Sequence, residues 1–401
     1  MLRLKNPFHF LLLTIFIDAT GAGLLIPIMP VLVQELAGVG ISEAAVYGGM
    51  MMALFSAVQF VSAPILGSIS DAIGRRPVLI VSLIAFAMTY LLMGMAPSIE
   101  WLFVGQAFVG LFGATHAAAG AYVADVTRPE RRARSFGLIG AAFGVGFMAG
   151  PVISGFLAEF GTRAPFYAAA AIALINAAYG YFILPESLQP ENRRAFRFKS
   201  SNPIGLLKRF RHERTILTLL LAAFLAHFSL QSVPTTWPYF TGFVLGWGPR
   251  EVGISLGVYG LVNVLAQGFL LGLLTRVLRD QQLAMFGLGL ALLASVGFVF
   301  ADSEWMIFAL CVPSSMSFMA IGALSSCVSR SVPANEQGAA QGALAGMQNA
   351  SAIFSPLVMP WMFQYFSSGS AGVVFAAPQF VLAAILALMS LRLVARIKMN
   401  H

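Results

Sequence analysis

Long apolar stretches recur along the whole chain and leave no region for a separate soluble domain. Each stretch is long enough to cross the core of a lipid bilayer as a helix, which takes about 20 residues. The short alternating strands typical of a membrane barrel are absent from this pattern. The sequence therefore predicts an all-α integral membrane protein with twelve spans, near residues 8–34, 44–66, 78–96, 101–125, 135–159, 165–184, 215–240, 251–274, 282–300, 305–329, 338–364 and 372–394.

The composition indicates that lipid is the main solvent. Of the 401 residues, 58% are hydrophobic and 10% are charged, with a mean hydropathy of +0.83, whereas soluble domains have about 25% charged residues. The apolar run from Phe8 is too long for a signal-peptide core of about 7–15 residues, and no usual cleavage site ends it. We therefore expect this run to be retained as the first span.

The basic residues predict the orientation of the chain. All but two of the 24 Lys and Arg residues fall on the side of the amino terminus, and the exceptions are Arg163 and Arg250. The positive-inside rule then places both termini and the central loop in the cytoplasm of a cell with an inner (plasma) membrane. The net charge of +8 is thus interpreted as an insertion and lipid-headgroup signal, and no nucleic-acid partner is expected.

The chain carries an internal duplication. One long hydrophilic loop, residues 185–214, separates six predicted spans from six others. The segments GLIGAAFGVGFMAGP, from Gly137, and GALAGMQNASAIFSP, from Gly342, both run from a Gly to a Pro fourteen positions later. Spans 5 and 11 therefore correspond. This predicts a six-helix bundle over 1–184, a cytoplasmic loop over 185–214 and a second bundle over 215–401.

Three motifs carry a family resemblance. The loop GSISDAIGRRPVL, Gly67 to Leu79, is similar to the signature of major facilitator transporters. The pattern GxxxGPxxxG in span 5, with Gly146, Gly150, Pro151 and Gly155, resembles that of proton-coupled drug antiporters. DATGAGLLIPIMP, from Asp18, resembles the first span of twelve-helix drug exporters, above all the tetracycline efflux proteins.

The resemblance extends over nearly the whole chain and implies a fold and a function. The fold is two pseudo-symmetric six-helix bundles. The function is multidrug or tetracycline export in exchange for protons by alternating access, which confers antibiotic resistance. The expected partners are a small-molecule substrate, protons and the lipid bilayer. The chain is expected to act as a monomer and to need no cofactor.

The loop between spans 2 and 3 is a candidate gate. Its glycines allow a tight turn, and an acid near a helix amino terminus is favoured by the helix dipole. We expect its charges to lock the cytoplasmic side in the outward-facing state, although a purely topogenic anchor is the alternative. The candidate residues, with partners at the ends of spans 4 and 5, are Gly67, Asp71, Gly74, Arg75, Arg76, Asp125 and Arg132.

Asp18 is the candidate proton-coupling residue. An ionisable group at a helix centre costs about 2.5–3.5 kcal/mol, so its presence calls for a function. The resemblance implies a coupling acid here, and the alternative is a neutral acid that only braces Thr14 or a neighbour. His116 and His227 are the other embedded titratable groups, which either relay protons or bind substrate. Neutral imidazoles hydrogen-bonded across helices are their alternative.

Uncharged polar and aromatic residues are candidates for the substrate cavity. A mixture of apolar and hydrogen-bonding groups suits an amphipathic organic compound better than an ion, although amides also simply join helices. Where tetracycline exporters have further charged groups, this chain has Thr89, Gln106, Asn263 and apolar residues near Leu290, so tetracycline itself stays open as the substrate. The candidate cavity residues are Gln59, Gln106, Gln231, Trp237, Phe240, Asn263, Gln267, Gln348 and Asn349.

Enzymatic and metal-dependent functions lack the residues they need. Cys311 and Cys327 fall in one predicted helix without a CxxC or a paired His, so neither a disulfide nor a metal site is expected. There is no HExxH or Walker motif for metal-dependent hydrolysis or ATP-driven pumping, and the GxSxG pattern at Gly253 to Gly257 falls inside predicted span 8 rather than at the strand-to-helix turn of a hydrolase. Two alternatives to export stay open, namely a proton-coupled importer or facilitator on the same fold and a non-transporting membrane scaffold.

Overall fold

The computed structural model describes residues 7–113, 115–127, 132–193, 210, 212–370, 372 and 374–397. Within these ranges the chain is helical and has no β-strand, which confirms the all-α prediction. Most of the central loop lies outside the described residues.

The first six spans each contain one helix or two consecutive helices. Span 1 bends by 43° near Pro27, because proline lacks the N–H that would continue the helical hydrogen bonds. Span 4 divides near Gly113. The helices are Pro7–Leu24 and Met29–Ala37 in span 1, Ile41–Ile73 in span 2, Arg75–Gly94 in span 3, Ile99–Phe112 and Thr115–Val126 in span 4, Arg132–Leu157 in span 5 and Ala164–Ile183 in span 6.

The last six spans follow the same plan. Span 8 contains a π-helical stretch, Ala266–Leu270, a distortion that is frequent at functional sites. Span 10 divides just after Pro313. The helices are Arg214–Leu230 and Ser232–Leu245 in span 7, Pro249–Leu265 and Leu271–Leu274 in span 8, Asp280–Val299 in span 9, Glu304–Met316 and Met319–Arg330 in span 10, Gln337–Ser367 in span 11 and Pro378–Arg396 in span 12.

Nine helical segments of the described chain are long and apolar enough to cross a membrane, and the bent first span makes ten. The other two predicted spans are helical but differ in character. Span 4 is made of two shorter helices. Span 11 is 31 residues long, and its glutamines, asparagine and prolines lower its mean hydropathy. All twelve predicted spans are therefore helical, and the protein is a multi-pass membrane protein.

The chain forms two compact units that nearly follow the predicted halves. The first unit contains Met1–Val39, Leu54–Ser200 and Gly248–Gly260. The second contains the rest, including Gly40–Ala53 from the start of span 2. The opening residues of spans 2 and 8 thus group with the other half of the sequence. The division into 1–184, 185–214 and 215–401 stays a prediction.

Candidate functional site

The candidate gate of the first unit is centred on the Arg75 guanidinium, whose side chain is only 10% exposed. It contacts the Asp71 carboxylate at 2.5 Å and the Asp125 carboxylate at 3.4 Å. Its Nη1 also donates to Ser70 Oγ at 3.2 Å. A charge this well buried needs close partners, and removal of one partner leaves the others uncompensated. The ends of spans 2, 3 and 4 are joined in this way.

Glu186, just after span 6, completes the cluster and was not predicted from the sequence. The backbone N–H groups of Arg75 and Arg76 donate to its carboxylate at 2.9 and 3.2 Å. An anion at this position is favoured by the helix dipole. Asp71, the acid expected near this helix terminus, pairs with the side chain of Arg75, the first residue of the helix. Gly74, with φ +113°, leaves room for Glu186, because a Cβ there would lie 2.8 Å from its carboxyl carbon.

The other gate residues differ in their surroundings. Arg76 Nη2 donates to the carbonyl of Tyr181 at 2.5 Å, and Ser187 Oγ donates to Asp125 at 3.1 Å. Gly67 has open space where a Cβ would stand. Arg132 begins the helix of span 5, and its side chain lies outside the described residues.

The glycines of the span 5 motif permit close helix packing on two sides. Gly146 and Gly150 lie against span 1, where a Cβ on Gly150 would be 2.5 Å from the carbonyl oxygen of Thr20. Gly155 lies against Arg250 at the start of span 8, and the Pro151 carbonyl lies against Gly253. Larger side chains would separate these helices.

Asp18 lies in the middle of the first helix of span 1 and is partly buried. It borders a cavity of about 20 Å³. Tyr90 of span 3 lies within electrostatic range of Asp18. Thr14 Oγ1 is buried and has no hydrogen-bond partner within the described residues, so Asp18 does not brace the Thr14 hydroxyl. That Asp18 only braces another neighbour stays the alternative. The cavity is lined by Leu11, Thr14, Ile15, Asp18, Leu79, Leu83 and Ala119.

The roles proposed for the two histidines stay predictions. His227 Nδ1 lies 3.1 Å from Ser351 Oγ, which joins spans 7 and 11 of the second unit. This is the geometry of the hydrogen-bonded alternative. His116 is in the second helix of span 4, and its side chain lies outside the described residues.

Several candidate cavity amides make hydrogen bonds between or along helices. Gln59 Nε2 donates to the Gly113 carbonyl at 3.2 Å in the first unit. In the second unit, Asn263 Nδ2 donates to the Ser315 carbonyl at 3.1 Å, and Gln267 Nε2 donates to Asn263 Oδ1 at 2.7 Å. Gln267 is in the π-helical stretch and is exposed.

The remaining cavity candidates divide between buried and exposed positions. Trp237 and Phe240 are each 1% exposed and pack in an aromatic cluster with Phe298 and Phe380. The other four are amides with more accessible side chains. Gln106, Gln231 and Gln348 are partly buried, and Asn349 is exposed.

A charge cluster in the second unit was also not predicted. Arg330, at the end of span 10, pairs with Asp280, at the start of span 9, at 2.8 Å. Ser326 Oγ donates to the same carboxylate at 2.5 Å. In the first unit the base, Arg75, is at the start of span 3 and the acid, Asp125, is at the end of span 4. In the second unit the acid, Asp280, is at the start of span 9 and the base, Arg330, is at the end of span 10, so the charges are exchanged. The internal duplication offered the signal, since span 3 corresponds to span 9 and span 4 to span 10.

Comparisons with known proteins agree with this architecture. Residues 11–356 match the model of the Major Facilitator Superfamily. The chain is 35% identical over 359 residues to the tetracycline resistance protein, class C, of Escherichia coli, covering 89% of this chain and 90% of the relative. It is 34% identical to the class E protein of Escherichia coli, with coverages of 88% and 86%. The structure of the human organic anion transporter MFSD10 superposes with a TM-score of 0.70 at 21% identity, covering 96% of this chain and 98% of that one. The chain therefore belongs to the major facilitator superfamily, has tetracycline resistance proteins as relatives, and is a membrane transporter and not an enzyme.

Proposed function

We propose that this transporter exports a small amphipathic organic compound, drug-like and of the tetracycline type, in exchange for protons by alternating access. The relatives are named for resistance to tetracycline, and the similarity covers nearly their whole length, which supports a substrate of this class. We further propose that the protein acts as a monomer in the inner membrane. Both termini are proposed to be cytoplasmic, because Lys and Arg concentrate on the side of the amino terminus.

The observation that supports proton coupling most strongly is the position of Asp18. It is partly buried in the middle of the first helix of span 1 and borders a small cavity. A carboxyl group held between apolar side chains can alternate between a neutral and a charged form as the site changes its access to water. Uptake of a proton on one side and release on the other would then drive export.

The Arg75 cluster supports alternating access. Its buried guanidinium is neutralised by carboxylates from two other spans. Opening of the cytoplasmic side would require a rearrangement of these contacts, so they would favour the closed gate. We propose that Asp71, Arg75, Asp125 and Glu186 act together in this role.

Transport into inside-out membrane vesicles tests the proposal. The vesicles are prepared with a lumen more acidic than the outside medium. They are then given a panel of labelled amphipathic compounds that includes tetracycline. We expect accumulation of at least one compound, and its loss when nigericin collapses the gradient. Gradient-driven accumulation only in right-side-out vesicles would indicate an importer. Movement of no compound in either orientation would favour the scaffold alternative, and both outcomes would contradict proton-driven export.

A further inference from the structure

Two polar groups of span 1 border the cavity beside Asp18 in the first unit, and a third polar group contacts the backbone of one of them. Thr14 and Asp18 are one helical turn apart on span 1, and both border the cavity. Asn176 of span 6 is fully buried and donates through Nδ2 to the Thr14 carbonyl at 3.1 Å. A hydroxyl and a carboxyl thus line the cavity among apolar side chains, and an amide contacts the backbone of the same helical turn.

Two of these groups leave hydrogen-bonding capacity unused. Thr14 Oγ1 and Asn176 Oδ1 are both buried, and neither has a partner within the described residues. Thr14 is 5% exposed and Asn176 is 0% exposed. A buried polar atom without a partner is costly, so such atoms usually bind an ordered water molecule.

The cavity has the size for one such molecule. Its volume is about 20 Å³, and a single water needs roughly 10–15 Å³. A water here could accept a hydrogen bond from the Thr14 hydroxyl and donate to Asn176 Oδ1 and to the Asp18 carboxylate. Three hydrogen bonds are typical of buried waters.

We infer that a single water molecule binds between Thr14, Asn176 and Asp18 and exchanges protons with the Asp18 carboxyl group. A proton that reaches this water as hydronium passes to the carboxylate, which leaves a neutral water and a neutral acid. The reverse transfer returns the proton to the water. The role in transport rests on the proposed function, whereas the binding of the water does not.

The ionisable groups on the helices around Asp18 include His116 of span 4, which is about one helical turn before Ala119 and whose side chain lies outside the described residues. From span 3, Tyr90 lies within electrostatic range of Asp18. The part of span 5 that packs on span 1, from Gly137 to Leu157, contains no ionisable residue. Ala119 closes the cavity from span 4. The bound water is the path that we propose for a proton to reach the carboxyl group.

Infrared difference spectroscopy on the purified full-length protein tests the site without any substrate or gradient. Spectra are recorded between acid and alkaline buffer, in ordinary water and in water labelled with oxygen-18. We expect an O–H stretching band that shifts with the isotope in the wild type, disappears in Thr14→Val and returns in Thr14→Ser. Thr20→Val is the matched control, because Thr20 is also 5% exposed but already donates to the Phe16 carbonyl at 2.8 Å.

Persistence of the isotope-sensitive band in Thr14→Val, or its absence from the wild type, would overturn the inference. In proteoliposomes, we expect Thr14→Val to slow proton-driven transport about tenfold, from the loss of a hydrogen bond to the water, and Thr20→Val to leave the rate unchanged. If Asp18→Asn pumps uphill at the wild-type rate, the proposed function fails. A Thr14-dependent water band in the same protein would still support the water site.

Discussion

Glu186 offers a sharp test of the gate, because its contacts can be weakened without changing the shape of the side chain. Its carboxylate accepts hydrogen bonds from four backbone N–H groups, those of Arg75, Arg76, Ser187 and Leu188. In Glu186→Gln one oxygen becomes an NH₂ group, which opposes the Arg76 N–H instead of accepting from it. The negative charge at the amino end of span 3 is also lost.

The expected cost follows from these contacts. A hydrogen bond to a charged group contributes about 1.5–3 kcal/mol, and a charge at a helix terminus about 0.3–1 kcal/mol. Because Glu186 is only partly buried and three of the four bonds can persist, we expect a loss of about 2 kcal/mol from the closed gate. This changes the ratio of closed to open forms roughly thirtyfold, at about 1.4 kcal/mol per factor of ten.

Proton-driven transport in vesicles and the amount of inserted protein are measured together. We expect Glu186→Gln to insert normally and to transport several-fold more slowly than the wild type. Glu191→Gln is the control, since Glu191 is an exposed acid in the same connecting segment. Equal transport rates for the two variants would refute the role of Glu186 in the gate.

Three further changes probe the packing and charges of the two units. Arg75→Ala should abolish most transport with normal insertion, because Asp71 and Asp125 then face each other uncompensated, and wild-type vesicle uptake would indicate a merely topogenic loop. Gly150→Ala should lower the thermal unfolding midpoint and transport, whereas Gly140→Ala, at a position with open space, should change neither; equal effects would contradict the packing account. Asp280→Arg should impair transport, and the double variant that adds Arg330→Asp should restore at least half of the wild-type rate. A double variant that stays as slow as the single one would argue against a functional ion pair.

The fold was largely predictable because lipid imposes one strong constraint, an apolar helix in each crossing. The breaks within spans were less predictable. Neither the bend of span 1 near Pro27 nor the division of span 4 near Gly113 was predicted. Hydropathy therefore predicted where the chain crosses but not which crossings are interrupted.

The candidate site was predictable only where the signal is local. Arg75 and its partners stand in one recognisable loop, and the structure brings Asp71 and Asp125 to the same guanidinium. Glu186 is 111 residues from Arg75, and no local pattern connects them. Trp237 packs against Phe298, and its place in a substrate cavity stays a prediction, because an aromatic residue in an apolar span has the same pattern whether it faces a cavity or the core.

The most direct test of the central claim is uphill transport by Asp18→Asn. This substitution keeps the size of the side chain and most of its hydrogen bonding but removes its titration. Asp302→Asn, which changes an exposed acid in the loop after span 9, is the control. We predict that Asp18→Asn inserts normally, still binds the exported compound and loses pH-gradient-driven accumulation in inside-out vesicles, while Asp302→Asn accumulates it like the wild type. Accumulation by Asp18→Asn at the wild-type rate would contradict proton coupling through Asp18.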